Sequence, residues 1–185
     1  MIEWIPASRG GKVNSFDIKN RTVITKDGSK IKTDVLNIIP PQQAGSLAFS
    51  SHLTDESGWC PVNQQTFESS ISKDIYIIGD SSIAGDMPKS GHSANSQGKL
   101  CAASIILSLE SNEMISPKLA NTCYSLVGSD YGINVIGIYQ FDGKFMSAVK
   151  GAGGISPIGK EDYFYVSEAY YAKGWHKSIV NDIWK

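Results

Sequence analysis

The chain has 185 residues, enough for one sizeable domain or for parts of two. Hydrophobic residues make up 41% of it and charged residues 19%, proportions typical of a folded protein with a real core. Because 17 Lys and Arg residues nearly balance 18 Asp and Glu residues, the sequence offers no basic surface for nucleic acid. No segment approaches the roughly 20 apolar residues of a transmembrane helix, and the first residues lack the layout of a signal peptide.

The first 41 residues are predicted to be mostly extended. Short strands are expected over residues 12–17, 22–25 and 30–33. The Lys-Asp-Gly-Ser sequence at 26–29 is a strong turn signal before the third of them. The apolar run 35–39 is typical of a strand buried on both faces. It ends at Pro40-Pro41, where we predict a domain boundary.

The middle of the chain is predicted to be a short helix over 42–53, a loop over 54–73 and a buried strand over 75–78. This strand stops at Gly79-Asp80. Helical spacing then predicts a helix over about 94–110, with Ser93 as its N-cap. The residues that recur at this spacing are Leu100, Ala103, Ile106 and Leu107.

The last third is predicted to contain a hairpin and a long helix. Strands are expected over 133–141 and 144–149, joined at Asp142-Gly143. Residues 161–184 are predicted to be helical, with apolar residues four apart at Tyr171, Trp175, Ile179 and Ile183. The predicted fold class is α/β followed by an α+β C-terminal domain with a small antiparallel sheet.

Residues 75–97 give the clearest sequence evidence for a functional site. An Asp at the end of a buried strand, here Asp80, can hydrogen-bond a polyol such as the ribityl chain of a flavin. The start of the next helix offers unpaired N–H groups and a positive dipole end, which stabilise the negative charge of a reduced flavin. Lys89 lies in the loop between them and adds a full charge. Taken alone, the pattern also fits an ordinary strand–loop–helix unit.

The amino-acid sequence of this segment resembles the second flavin-binding motif of flavocytochrome c sulfide dehydrogenase. The similar segments are Ile-Gly-Asp at 78–80, Met-Pro-Lys-Ser-Gly at 87–91 and Ser-Ala-Asn-Ser-Gln-Gly-Lys at 93–99. Flanking segments are also similar to that family: 27–28, 34–35 and 38–41, Gly-Trp-Cys-Pro-Val at 58–62, Asn-Thr-Cys-Tyr-Ser-Leu at 121–126, and Tyr131-Gly132. The resemblance runs through nearly all of the chain in the same order.

This resemblance implies the C-terminal part of a flavoprotein with two dinucleotide-binding domains, of the pyridine nucleotide-disulfide oxidoreductase type. Residues 1–41 would end an NAD-binding-like domain, 42–112 would form the C-terminal half of the FAD-binding domain, and 113–185 would form the α+β domain near the flavin. The Gly-rich fingerprint for the FAD pyrophosphate is not in this sequence. A missing N-terminal FAD-binding portion is therefore an expected partner.

The resemblance also assigns roles to single residues. Cys123 matches the C-terminal member of a redox-active disulfide beside the flavin, and its partner would lie upstream of Met1. Trp175 matches an aromatic residue near the flavin ring. Matches to flavin contacts are Gly79, Asp80, Met87, Pro88, Lys89, Ser90, Ser93 and Asn95. No metal site is expected, because the three histidines lack ligand spacing. His92, near the presumed flavin loop, is expected to have at most a minor electrostatic role.

The implied activity is sulfide oxidation. Sulfide would attack the disulfide, leaving a persulfide and a thiolate that reduces FAD, and a c-type cytochrome subunit would accept the electrons in the periplasm. Two alternatives stay open, a sulfide:quinone oxidoreductase and a non-catalytic fragment or interaction module. Cys123 could also be an inert core thiol. Cys60 is a weaker redox candidate, and Cys101 is expected in the core.

Overall fold

The structure, a computed structural model, describes residues 2–184. The chain divides into two compact units, Met1–Gln42 and Gln43–Lys185. The division falls one residue beyond the boundary predicted at the proline pair. The assignment of these segments to NAD-binding-like and FAD-binding domains stays a prediction.

The first unit contains a three-stranded antiparallel sheet. Its strands are β1 (Val13–Asp17), β2 (Thr22–Thr25) and β3 (Lys30–Lys32), in that spatial order. The turn between β2 and β3 is held by Asp27, whose carboxylate accepts hydrogen bonds from Thr25 Oγ1 at 2.5 Å and Ser29 N at 3.1 Å. The three strands and this turn were predicted from sequence, and the structure confirms them.

The predicted buried strand over 35–39 is wrong. No strand is assigned to these residues, and Val35 and Ile39 are 83% and 84% exposed. A strand buried on both faces needs neighbouring strands and two covering layers. The described part of the first unit supplies only a small antiparallel sheet, so the apolar run has nothing to pair with.

The second unit opens with a short helix and a long irregular segment. Helix α1 (Ser46–Ser50) lies within the predicted range. Strands β4 (Cys60–Pro61) and β5 (Ser82–Ile83) form a two-residue parallel pair. The predicted strand over 75–78 is wrong, because only Tyr76 makes an isolated bridge, to Glu68. The backbone instead closes into a short helical turn at Gly79–Ser81.

Helix α2 (Gly91–Leu109) confirms the predicted central helix but begins earlier. Its N-cap is Ser90, not Ser93. Ser90 has extended backbone angles, and its Oγ accepts a hydrogen bond from Ser93 N at 3.1 Å. This is the geometry of a serine N-cap, in which the side chain bonds the third N–H of the helix.

An antiparallel sheet and a long helix complete the second unit. The sheet order is β6 (Lys118–Gly128), β7 (Tyr131–Phe141) and β8 (Met146–Ile155), followed by helix α3 (Asp162–Trp184). The β7–β8 hairpin and α3 were predicted, and the structure confirms both. The sequence did not predict β6, because its most buried side chain is the polar Asn121, which hides the alternation of a half-buried strand.

The four apolar residues that recur along α3 are unequally buried, and Trp175 and Ile179 are half-buried. Tyr171 and Ile183 are each 57% exposed. The side chains that pack inward are Tyr165, Glu168, Ala169 and Ala172. Three of these four are small or polar, so the spacing of large apolar residues does not mark them.

The main core of the second unit joins the irregular segment to the hairpin. Its buried members are Val62, Phe67, Ala84, Met87, Leu100, Cys101 and Met146. Gln64 Oε1 accepts a hydrogen bond from the Met146 backbone N–H at 2.6 Å. The loop before α2 is therefore fixed against both α2 and β8.

The small antiparallel sheet with packed helices agrees with the predicted α+β C-terminal domain. The predicted α/β front is not seen, since β4–β5 is the one parallel strand pair within residues 2–184. Among these residues, no helix combines the length and hydropathy that a membrane span requires.

Candidate cofactor site

A cleft of about 150 Å³ lies between the turn at 79–81, the loop 82–89 and the first turns of α2. Trp59 and Gln97 contribute to its wall. Six of the nine predicted cofactor-binding residues also line it, namely Gly79, Asp80, Met87, Pro88, Lys89 and Ser93. The structure thus brings most of the predicted contacts together around one space.

The turn at Gly79 is anchored directly to α2. Gly79 has a φ of 70°, a left-handed conformation that glycine adopts without strain. Its N–H donates to Oε1 of the buried Gln97 at 2.7 Å, and Gln97 Nε2 lies 3.8 Å from Met87 Sδ. Gln97 lies within the motif 93–99 but was not predicted as a site residue. Its side chain fixes one wall of the cleft.

The Lys89 ammonium is held at the cleft by three partners. It donates to Asp80 O at 2.5 Å and to Ser82 O at 3.0 Å. It also lies 3.7 Å from the centroid of the Trp59 ring, within the range of a cation–π interaction. Burial lowers the pKa of Lys89 below its usual value, and the Asp80 carboxylate acts in the opposite direction. These three contacts fix the position of the Lys89 ammonium group at the cleft.

Cys123 is linked to the start of α2 through Asn121. Asn121 Nδ2 lies 3.3 Å from Cys123 Sγ. Asn121 Oδ1 accepts hydrogen bonds from Ser90 Oγ at 2.5 Å and from Ser93 Oγ at 3.1 Å. Two predicted cofactor residues and the predicted redox cysteine therefore meet at one buried amide, which the sequence reasoning missed.

Trp175 packs against the same helix start through His92. The two rings are stacked with centroids 5.4 Å apart and planes 18° apart, and Tyr124 lies 6.4 Å from Trp175. His92 Nδ1 is 3.1 Å from Ala120 O, so the proton is on Nδ1, because a carbonyl can only accept. His92 was expected to have only a minor electrostatic role. Here it joins α2, β6 and α3.

Three predicted cofactor residues do not line the cleft. Ser90 is the N-cap of α2 and donates to Asn121 Oδ1. Trp175 lines a shallow groove with Tyr124, Leu126 and Lys173 instead. Asn95 is half-buried on α2, and no side-chain hydrogen bond of Asn95 is formed within the described part of the chain.

The other two cysteines have the environment of core thiols. Cys60 and Cys101 are buried, and burial raises the pKa of both thiols. Cys101 belongs to the main core, as the sequence predicted. Cys123 is only half-buried, and all three thiols are unpaired within residues 2–184.

The cleft suits one part of a flavin nucleotide rather than the whole molecule. The N–H groups of Gly91 and His92 have no acceptor among the described residues, and they mark the positive end of a 19-residue helix. The Asp80 side chain is exposed, and Asp80 lines the cleft. The cleft volume is well below the roughly 300–1,000 Å³ of a site that encloses a whole ligand.

Residues 115–184 match the family model described as flavocytochrome c sulphide dehydrogenase, flavin-binding. The matched segment spans β6 to α3 and includes Asn121, Cys123 and Trp175, whereas the cleft loop and α2 precede it. The family is a flavin-binding one, in agreement with the FAD that the motifs imply. The C-terminal part of this chain is therefore similar to the flavin-binding domain of flavocytochrome c sulphide dehydrogenase.

Proposed function

We propose that this chain supplies one wall of an FAD site and one redox cysteine to an oxidoreductase that removes electrons from sulfide. The single observation that carries the proposal is the Asn121 link between Cys123 and the start of α2. It places the thiol of the flavin-binding segment beside the helix end that lines the cleft.

The cleft residues have complementary roles toward the cofactor. Asp80 is suited to accept hydrogen bonds from a polyol chain. The free N–H groups at Gly91 and His92, together with Lys89, favour negative charge at the flavin edge. A bound flavin supplies a two-electron acceptor at this place.

Cys123 would act as one half of a disulfide whose other half comes from outside residues 2–184. Attack of HS⁻ on the partner sulfur forms one S–S bond and breaks another. The electron pair of the broken bond leaves on Cys123 as a thiolate, and the partner becomes a persulfide. The two electrons taken from sulfide are then held by Cys123, next to the cofactor.

A c-type cytochrome in the periplasm is the proposed electron acceptor, on the strength of the family model that residues 115–184 match. One observation favours a second candidate, a quinone at a membrane surface. Helix α3 exposes large apolar and aromatic side chains at Tyr163, Tyr170, Ile183 and Trp184, and Tyr and Trp are favoured at membrane–water interfaces. Reduction assays with cytochrome c and with a soluble quinone distinguish the two.

Titration of the chain with FAD tests the cofactor site. We expect micromolar protein to quench flavin fluorescence. Lys89→Met should weaken the affinity about fivefold, as expected for roughly 1 kcal/mol from a partly exposed charge. Lys150→Met is the matched control, because it removes an exposed lysine from β8, away from the cleft.

Two results would contradict the proposal. Wild-type chain that leaves flavin fluorescence unchanged would favour a non-catalytic interaction module. Equal affinities of the Lys89 and Lys150 variants would show that the cleft is not where the flavin binds.

A further inference from the structure

Asn121 occupies an unusual position for an amide side chain. It is 2% exposed and lies on β6, an edge strand whose neighbour on one side is the start of α2. A buried amide is costly unless its donors and acceptor are satisfied. Here the partners are two hydroxyl groups on one side and a thiol on the other.

The hydrogen bonds determine which way the amide points. Ser90 Oγ already accepts from Ser93 N, which leaves its own proton free to donate to Asn121 Oδ1. Ser93 Oγ donates to the same oxygen. With two hydroxyl donors on the oxygen, the NH₂ group faces Cys123 Sγ, at 3.3 Å.

We infer that Asn121 is a positioning residue for Cys123, which directs an N–H donor at the sulfur and stabilises the thiolate when it forms. The helix cap thereby serves a second purpose, since Ser90 and Ser93 hold the amide in its donating orientation. The inference rests on the proposed redox role of Cys123. It adds to that role the side chain that holds an N–H donor 3.3 Å from the sulfur.

The other groups around the thiol do not provide this donor. Burial raises the pKa of Tyr139 on β7, with smaller electrostatic contributions from Cys123 and Asp86, and no hydrogen bond joins Tyr139 to the sulfur among the described residues. Within residues 2–184 no Lys or Arg side chain bonds the sulfur, and Asn121 is its one N–H donor.

Alkylation of Cys123 in the isolated chain tests the inference. The rate with iodoacetamide is followed by mass spectrometry of the peptide that carries Cys123, and buried Cys60 and Cys101 serve as internal controls. We expect Asn121→Leu to slow alkylation about 3- to 10-fold at neutral pH, the effect of one lost hydrogen bond. Asn121→Asp should slow it more, because its carboxylate repels the thiolate that forms.

The sign of the change separates positioning from mere packing. If Asn121 only filled space, its loss would loosen β6 and speed alkylation. Unchanged or faster alkylation in a folded Asn121→Leu variant therefore overturns the inference.

A second variant covers the case in which Asn121→Leu does not fold. Ser93→Ala removes one anchor of the amide and keeps the Ser90 cap, so it should slow alkylation about twofold, and an unchanged rate would overturn the inference. Neither flavin nor sulfide enters the assay. Failure here leaves the FAD titration unaffected, and failure of the titration leaves this result standing.

Discussion

Glu168 is a buried carboxyl group that the sequence reasoning did not single out. It lies on the inner face of α3, where Asn134 Nδ2 donates to its carboxylate. Burial raises the pKa of Glu168 above its usual value near 4.5. The folded state therefore holds the proton more tightly than the unfolded state does, and stability falls as pH rises from about 4.5 through the raised pKa.

Replacing this carboxyl group should raise stability only at higher pH. Glu168→Gln keeps an oxygen that can accept from Asn134 and removes the buried charge. We expect its Tm to exceed that of the wild type at about pH 7.5 and to match it below about pH 4.5, where the carboxyl group is protonated in both states. Thermal unfolding followed by circular dichroism measures the difference, with the exposed Glu161→Gln as control. An equal Tm shift at both pH values would show that burial of the charge is not the cause.

At the scale of elements, the backbone of α3 packs closely against Gly132 of β7. A Cβ atom on Gly132 would lie 2.8 Å from Ala169 N and 3.0 Å from Ala169 Cα. Both are backbone atoms of the helix, so the helix would have to move away from the sheet. Trp175 lies further along the same helix, and its contact with His92 depends on this packing.

Gly132→Ala should therefore destabilise the protein by about 1–3 kcal/mol, the usual cost of overpacking. Gly154→Ala on β8 is the matched control, since its Cβ would meet nothing within 4 Å, and surface changes of that kind stay within about 0.5 kcal/mol. Urea unfolding of the two variants measures the free energies. Similar values for both would mean that α3 tolerates displacement from β7.

Elements with a local signal could be predicted from sequence. The hairpin at Asp142-Gly143 and α3 each follow from a turn dipeptide or a long periodic segment. The apolar segments 35–39 and 75–78 were wrongly predicted as strands. An apolar segment indicates that its side chains tend to be buried, but it does not indicate which strand it pairs with. Strand β6 was missed because its buried side carries an amide.

The candidate site was predictable to the extent that it is contiguous in sequence. Residues 79–93 lie around one cleft because they form a single turn, loop and helix start. The links that complete the site join distant positions, with Ser90 and Asn121 31 residues apart. His92 and Trp175 are farther apart still. Such pairs follow from the packing of α2 beside β6 and α3, which no local pattern encodes.

At the scale of the whole molecule, many large apolar side chains are exposed to solvent. Side chains that are mostly open to solvent include Trp4, Val35, Ile39, Leu47, Leu109 and Ile158. Where such side chains form a contiguous patch, they are typical of surfaces that contact other proteins. The cleft, at about 150 Å³, is also too small to enclose a whole flavin nucleotide.

Sulfide oxidation therefore has to be tested in the assembled enzyme. We expect Cys123→Ser to abolish sulfide-dependent bleaching of the flavin absorbance, because a hydroxyl group cannot form the disulfide. Cys101→Ala, in the core, should keep the activity of the wild type. Normal turnover in the Cys123 variant would exclude the disulfide step.

The position of α2 beside β6 has a consequence for self-association. Edge strands with unpaired backbone N–H and C=O groups can pair with strands of other chains, and this pairing leads to aggregation. On β6, the Ala120 carbonyl already accepts hydrogen bonds from His92 and Ser96 of α2. On β8, the N–H groups of Met146 and Ala148 already donate to the side chains of Gln64 and Asp86. The second half of β8 is rich in glycine, which is a poor strand former. Both borders of the sheet are thus poor templates for an added strand.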